Sequence, residues 1–305
     1  MIRIETADRG QGKRASVGTM FGTTLTCYGQ MRDTGAYGLA AAANSLAAEG
    51  VFRASAEVRI AIPEDMDKSR IHSIRNHMLR ARDRLAEEGF VLEELRTAGG
   101  KNRGVLTPAV TVTVLGSAED SGTAEIKEAV PGQDLLVAGW IGLEGMLRII
   151  GEKEAELRRR FAADFIRRMK AYDREVCGIS RIAAARDQGV SMIRQVLDGG
   201  ILACLWEFAE EAGTGLSLDM KKLPILQETI EVCEYFRLNP YQLTSAGCFV
   251  MAAENGEEAV RMLRRRGIPA VLIGQLTDSH DRVIYNGGDV RYIDRPGPDE
   301  LMKVF

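Results

Sequence analysis

Residues 191–218, SMIRQVLDGGILACLWEFAEEAGTGLSL, decide how the chain is read. A strand-like run leads into Asp198-Gly199-Gly200 and then an amphipathic helix, the layout of an enzyme active-site turn. Glycines are needed there for close helix–strand packing whether or not chemistry occurs. Chemistry at such a turn draws on carboxylates or a histidine just before the glycines, yet Arg194, Gln195, Val196 and Leu197 stand in those places. Two readings follow: a working site of unfamiliar design, or an intact fold whose site has been dismantled.

The rest of the chain sets bounds on both. Its 305 residues imply about two domains, with ample material for a buried core. A composition of 45% hydrophobic and 27% charged residues is that of a globular protein. The net charge of −3 provides no basic field, so nucleic acid is not an expected partner. No apolar run approaches the roughly 18 residues of a membrane span, and MIRIETADRGQGKR holds no signal-type apolar segment. The expectation is a soluble cytoplasmic protein without membrane contact. Cysteines 27, 177, 204, 233 and 248 lack CxxC spacing and read as small buried hydrophobes of a reducing compartment. Three dispersed histidines make no metal site, and His72 and His77 read as surface residues of a charged helix.

Periodicity divides the chain into elements. VGTMFGTTLTCY (17–28) predicts a strand, GAYGLAAAANSLAAEG (35–50) a small-residue helix closed by Gly50, and ASAEVRIAI (54–62) a half-buried strand. A charged helix over 66–88 is followed by the strands FVLEELRT and AVTVTVLG, giving β-α-β-α-β-β for residues 1–117. A polar linker opens the second domain, 118–305. Beyond it come the buried strand LLVAGWIGLEG, helices near 143–158, 161–174, 178–190 and 201–213, and a long helix after Pro224. The strand GCFVMAA, the helix GEEAVRMLRRRG, the strand AVLIGQLT and a hairpin turning at Asn286-Gly287-Gly288 complete the pattern. The arginines of RMLRRRG read as a dipole-compatible, solvated helix end. Trp140, Trp206 and Phe208 read as packing residues, and Glu144 as a loop-stabilising carboxylate.

Several of these stretches resemble one family in its own order: GWIGLEG (139–145), DGGILACLWEFAEEAGTGLSLDMKKLPI (198–225), ETIEVCEYFRLNPYQLTSAGCFVMAA (228–253) and GIPAVLIGQLT (267–277). They are similar to the carboxy-terminal domain of the aminoimidazole ribonucleotide (AIR) synthase, or PurM-like, superfamily, on the side of hydrogenase maturation protein E (HypE). GAYGLAAAANSLAAEGVFRASAEVRIAIP (35–63) resembles the amino domain, so the likeness covers about residues 12–277. The resemblance implies a two-domain α/β (α+β) fold. It further implies an amino-domain sheet that forms a barrel across a dimer interface, with ATP and magnesium in the cleft between the domains.

The resemblance also places the family's site positions. Its acidic early loop becomes Gly12-Lys13-Arg14-Ala15, and its Thr-Asp-Pro strand end becomes Thr24-Leu25-Thr26. Asn-Asp becomes Asn44-Ser45, and the Gly-Gly-His/Asp-Thr loop becomes Gly99-Gly100-Lys101-Asn102. His-Asp-x-Thr-x-Gly-Gly becomes Arg194-Gln195-Val196-Leu197-Asp198-Gly199-Gly200. Magnesium needs oxygen ligands, and phosphoryl transfer needs the metal's neutralising charge. Lysine and arginine can neutralise phosphate but cannot hold the metal. The expectation is a pseudoenzyme, a binding or regulatory subunit without magnesium. The alternatives are an ATP-dependent maturation enzyme, or an altered enzyme taking an anionic substrate in the cleft. Residues of a remnant anion or nucleotide site would be Lys13, Arg14, Lys101, Asn102, Arg194, Asp198, Gly199 and Gly200, although Lys13, Arg14, Lys101 and Arg103 also read as solvated loop charges. Hydrogenase maturation protein E uses a carboxy-terminal cysteine; the final residues here are Leu301 to Phe305, which speaks against that carbamoyl chemistry. A homodimer is expected, with assembly on a catalytically intact homologue as a further expectation.

Overall fold

Alternating small and β-branched residues build the first sheet. A computed structural model describes residues 2–6, 18–117 and 128–305, and the chain divides into two compact units, 1–125 and 126–305. The first unit runs β1 (Ile2–Thr6), β2 (Gly18–Tyr28), α1 (Thr34–Ala48), β3 (Arg53–Ile62), α2 (Ser69–Glu87), β4 (Val91–Lys101) and β5 (Ala109–Ser117). Its strands lie in the order β1-β2-β5-β3-β4; β3 and β4 are parallel across the α2 connection and the other pairs antiparallel. In β3, Ala54, Ala56, Val58, Ile60 and Ile62 face inward while Arg53, Ser55, Glu57 and Arg59 face out, the period-two signature of a sheet covered on one side. The covering layer is α1 and α2. Alanines let α1 settle close to the sheet, and a Cβ at Gly38 would stand 3.0 Å from Cys27 Sγ. On the open face, the hydroxyls of Thr24 and Thr113, and of Thr26 and Thr111, are hydrogen bonded across β2 and β5.

Two local readings change. β1 was not anticipated; five residues carry too little periodicity, and pairing with Gly18–Gly22 defines the strand. Gly99-Gly100-Lys101, expected as loop, continues β4 opposite Ile60, Ala61 and Ile62. The ladder with β3 overrides the low strand propensity of two glycines.

The second unit comprises β6 (Asp134–Ala138), α3 (Leu143–Leu157), α4 (Ala163–Ala171), α5 (Ile179–Arg186), β7 (Met192–Gln195), α6 (Gly200–Ala212) and β8 (Gly215–Asp219). It continues through α7 (Gln227–Phe236), β9 (Phe249–Ala253), α8 (Gly256–Arg265), β10 (Ala270–Thr277), β11 (Arg282–Asn286) and β12 (Asp289–Tyr292). The sheet order is β12-β11-β8-β10-β6-β9-β7, with only β8 and β11 parallel. On one face Leu135, Val137, Val250 and Ala252 pack with Ile201, Leu205 and Phe208 of α6; on the other, α8 packs on β6, β9 and β10. Trp206 packs against the α6 core, as a packing residue should. The helix expected from residue 225 starts at Gln227, because Ile225 bridges to Ile141 instead. The hairpin forms with Asn286 opposite Asp289.

Four of the five cysteines are buried and none is in a disulfide. Burial pushes the Cys233 and Cys248 thiols up to about 12 and Cys204 higher still, so all three remain protonated and unreactive. Among the described residues, no helix is long and apolar enough to cross a membrane.

Candidate functional site

Two helices of the second unit begin in the same way. α3 follows Gly142 and α6 follows Gly199, both left-handed glycines with no side chain to cap the helix. Acceptors from distant segments cap them instead. The Gly142 amide donates to Ser245 Oγ (2.6 Å), and the Gly199 amide donates to Asp299 Oδ2 (2.9 Å). Gly200 is also left-handed, with φ 67°, and a Cβ there would lie 2.5 Å from the Tyr241 carbonyl oxygen and 2.7 Å from Leu243 N. Only glycine allows the turn and the 241–243 backbone to approach this closely.

Around these helix starts the loops form a buried polar node. Glu144, 4% exposed, accepts from Thr244 Oγ1 at 2.7 Å and from Arg148 Nη1 at 3.3 Å. It ties α3 to the 244–245 segment, the loop-stabilising role expected of it. Gln195 Oε1 accepts from Gly247 N at 3.2 Å. Glu300, also buried, accepts from Asn239 N and pairs with Lys303. Burial is the main cause that raises Asp299 from 3.8 to about 6; the amides of Leu301 and Gly199 oppose it, while Glu144 and Asp198 reinforce it. The surroundings of the α6 turn are therefore acidic.

The site residues read from the sequence fall into separate settings. Lys13 and Arg14 lie outside the described residues. Lys101 and Asn102 belong to the first unit: Lys101 Nζ donates to the Glu64 carbonyl (2.6 Å), and Asn102 Oδ1 accepts from Gly104 N (2.9 Å). Arg194, Asp198, Gly199 and Gly200 come together at the α6 turn. There Asp198 is exposed, and the Arg194 guanidinium reaches Glu207 and Glu211 of α6, at 2.5 Å each. Of the positions where the resemblance expects acids, Leu25 lies within β2 and the Ser45 hydroxyl donates to the Ala41 carbonyl inside α1. Among the described residues, no group of three or more His, Cys, Asp or Glu is placed to hold a metal.

Sequence reasoning missed Asp299, Glu300, Thr244, Ser245 and Arg148. A Pro-Asp step before a short helical turn signals a cap at Asp299, and its side chain does accept from Leu301 N. Nothing local signals that the same carboxylate also reaches Gly199.

An α/β unit of this topology, with helices that start on left-handed glycines, defines a class. The chain belongs to the AIR synthase related protein family, whose C-terminal domain matches residues 130–286. A Methanocaldococcus jannaschii protein named for hydrogenase expression and formation is 22% identical over 277 residues, 89% of this chain and 79% of that protein. The crystal structure of Escherichia coli HypE, a hydrogenase maturation protein, shares the PurM-like fold with a TM-score of 0.74 at 18% identity, covering 94% of this chain and 88% of that one. A HypE structure in complex with ATP matches with a TM-score of 0.67 at 17% identity, covering 97% and 90%.

Proposed function

We propose that the chain is a non-catalytic member of this family, a binding or regulatory subunit whose Mg-ATP machinery has been replaced. One observation carries the reading. Where the resemblance expects His-Asp before the glycines, Arg194 is clamped by Glu207 and Glu211, and Gln195 is bound to Gly247 N. Neither is available to a metal. Magnesium is held by one or two carboxylates beside phosphate oxygens, and the side chains at those positions, Leu25, Ser45 and Gln195, do not fit it. The α6 amide at Gly199, a place where helix starts commonly receive anions, already binds Asp299. A small anion would therefore find neither the Gly199 amide nor the Arg194 guanidinium open to it. The role left to the protein is assembly. The open face of β2, β5 and β3, with Thr24, Thr26, Thr111 and Thr113, is the surface through which two copies, or this chain and an intact relative, would pair.

The test is a crystal structure from protein grown with ATP and magnesium, together with native mass spectrometry of the chain co-expressed with an intact homologue. The reading requires no nucleotide density and an Arg194 side chain still on its two glutamates. Bound Mg-ATP with carboxylate ligands would overturn the non-catalytic assignment. Homodimers alone, with unchanged activity of the homologue, would overturn the regulatory one.

A further inference from the structure

The seven-stranded sheet is unevenly covered. Ile284 and Leu218 belong to the core packed on α6, so alternation turns Ser217, Asp219, Val283 and Tyr285 to the opposite face, the one α8 occupies over β6, β9 and β10. Val283 opposes Tyr292 and Tyr285 opposes Val290, which puts all four on that face. Tyr285, Val290 and Tyr292 are 45%, 57% and 64% exposed. Beside α8 the helix layer stops before the sheet does.

A groove of about 690 Å³ lies at this boundary, between the C-terminal half of α8 and the 220–222 turn that packs on β10 and β11. Val260 and Leu272 give it apolar side chains, while Lys222, Arg261, Arg264 and Arg265 line it with a single acid, Glu257; the Val271 side chain turns to the α6 face. The helix dipole accounts for arginines at the end of α8. It does not account for Lys222, which comes from another element, or for the apolar lining. The cations keep donors to offer: Arg264 uses Nε on the Ala270 carbonyl, Arg265 uses Nη1 on Met262 Sδ, and Arg261 pairs with Glu258 on its own helix.

We propose that this groove docks an acidic amphipathic helix of a partner protein. Its apolar side chains would pack on Val260 and Leu272 beside α8, and its carboxylates would pair with Lys222, Arg261, Arg264 and Arg265. Charge complementarity selects the occupant: in a chain of net charge −3, four cations line one groove beside a single lining carboxylate. Apolar residues on such a helix recur at i, i+3 and i+4, the pattern of helix-in-groove recognition. The assignment is independent of whether nucleotide binds.

The probe is a fluorescent peptide of about 16 residues, leucine and glutamate at helical spacing, titrated into the full chain by anisotropy. Saturable binding is expected, weakened by added salt and reduced about tenfold or more by Lys222→Glu with Arg265→Glu. Arg261→Gln would weaken it less, and Arg160→Glu, in the turn after α3, would leave it unchanged. Circular dichroism verifies that each variant is folded, and hydrogen exchange is expected to slow over residues 256–272 on peptide addition. A peptide that does not bind, or binds equally to the charge-reversed variant, would overturn the proposal. So would binding of the lysine-for-glutamate peptide, or capture of a single-stranded oligonucleotide at the groove while the acidic peptide is inert.

Discussion

Replacing Asp299 with asparagine should remove a specific part of the protein's pH dependence. Folding buries this carboxylate against the Gly199 and Leu301 amides, near Glu144 and Asp198, and raises it from 3.8 to about 6. Between those values the folded protein holds a proton that the unfolded chain has released. Asp299 thus adds stability fully below pH 3.8, and that contribution is lost as pH rises through 6. A shift of about two units corresponds to at most about 3 kcal/mol, of which about 2 kcal/mol separates pH 7.5 from pH 4.5. Asparagine does not titrate, so the wild-type advantage over Asp299→Asn should grow by about that amount on acidification. Urea unfolding followed by tryptophan fluorescence reads the correct unit, since Trp140 and Trp206 both lie in the second. A wild-type-to-variant difference that stays constant from pH 4.5 to 7.5 refutes the buried-carboxylate reasoning.

Gly200→Ala should destabilise the second unit by about 3 kcal/mol, from a left-handed alanine and its clash with the 241–243 backbone; a urea midpoint within error of wild type would contradict this. Glu144→Ala removes the carboxylate from buried Arg148 and Thr244 and should cost about 3–5 kcal/mol, measured by the same unfolding curves. Light scattering at micromolar concentration should give twice the single-chain mass, and a single-chain particle would count against pairing through the β2–β5 face.

Much of the fold was legible because each element carried a local period. The alternation of β3 and the alanines of α1 depend only on which face is buried, and the Gly287-Gly288 hairpin depends on turn chemistry. β1 and the end of β4 were not legible, because pairing rather than composition makes them strands. The α6 turn could be read as to residue type but not as to partners. That Arg194 turns to Glu207 and Glu211, about two and three turns along α6, depends on the angle at which the helix leaves the strand. That Asp299 caps Gly199 depends on a contact spanning 100 residues, for which a sequence offers no periodic signal.

The most direct measurement of the central claim is a calorimetric titration of Mg-ATP into the full chain, with a magnesium-free titration beside it. Without carboxylates at positions 25, 45 and 195 to hold the metal, the account predicts no magnesium-dependent heat of binding. Micromolar affinity that disappears when magnesium is removed would contradict it and restore the chain to the catalytic members of its family.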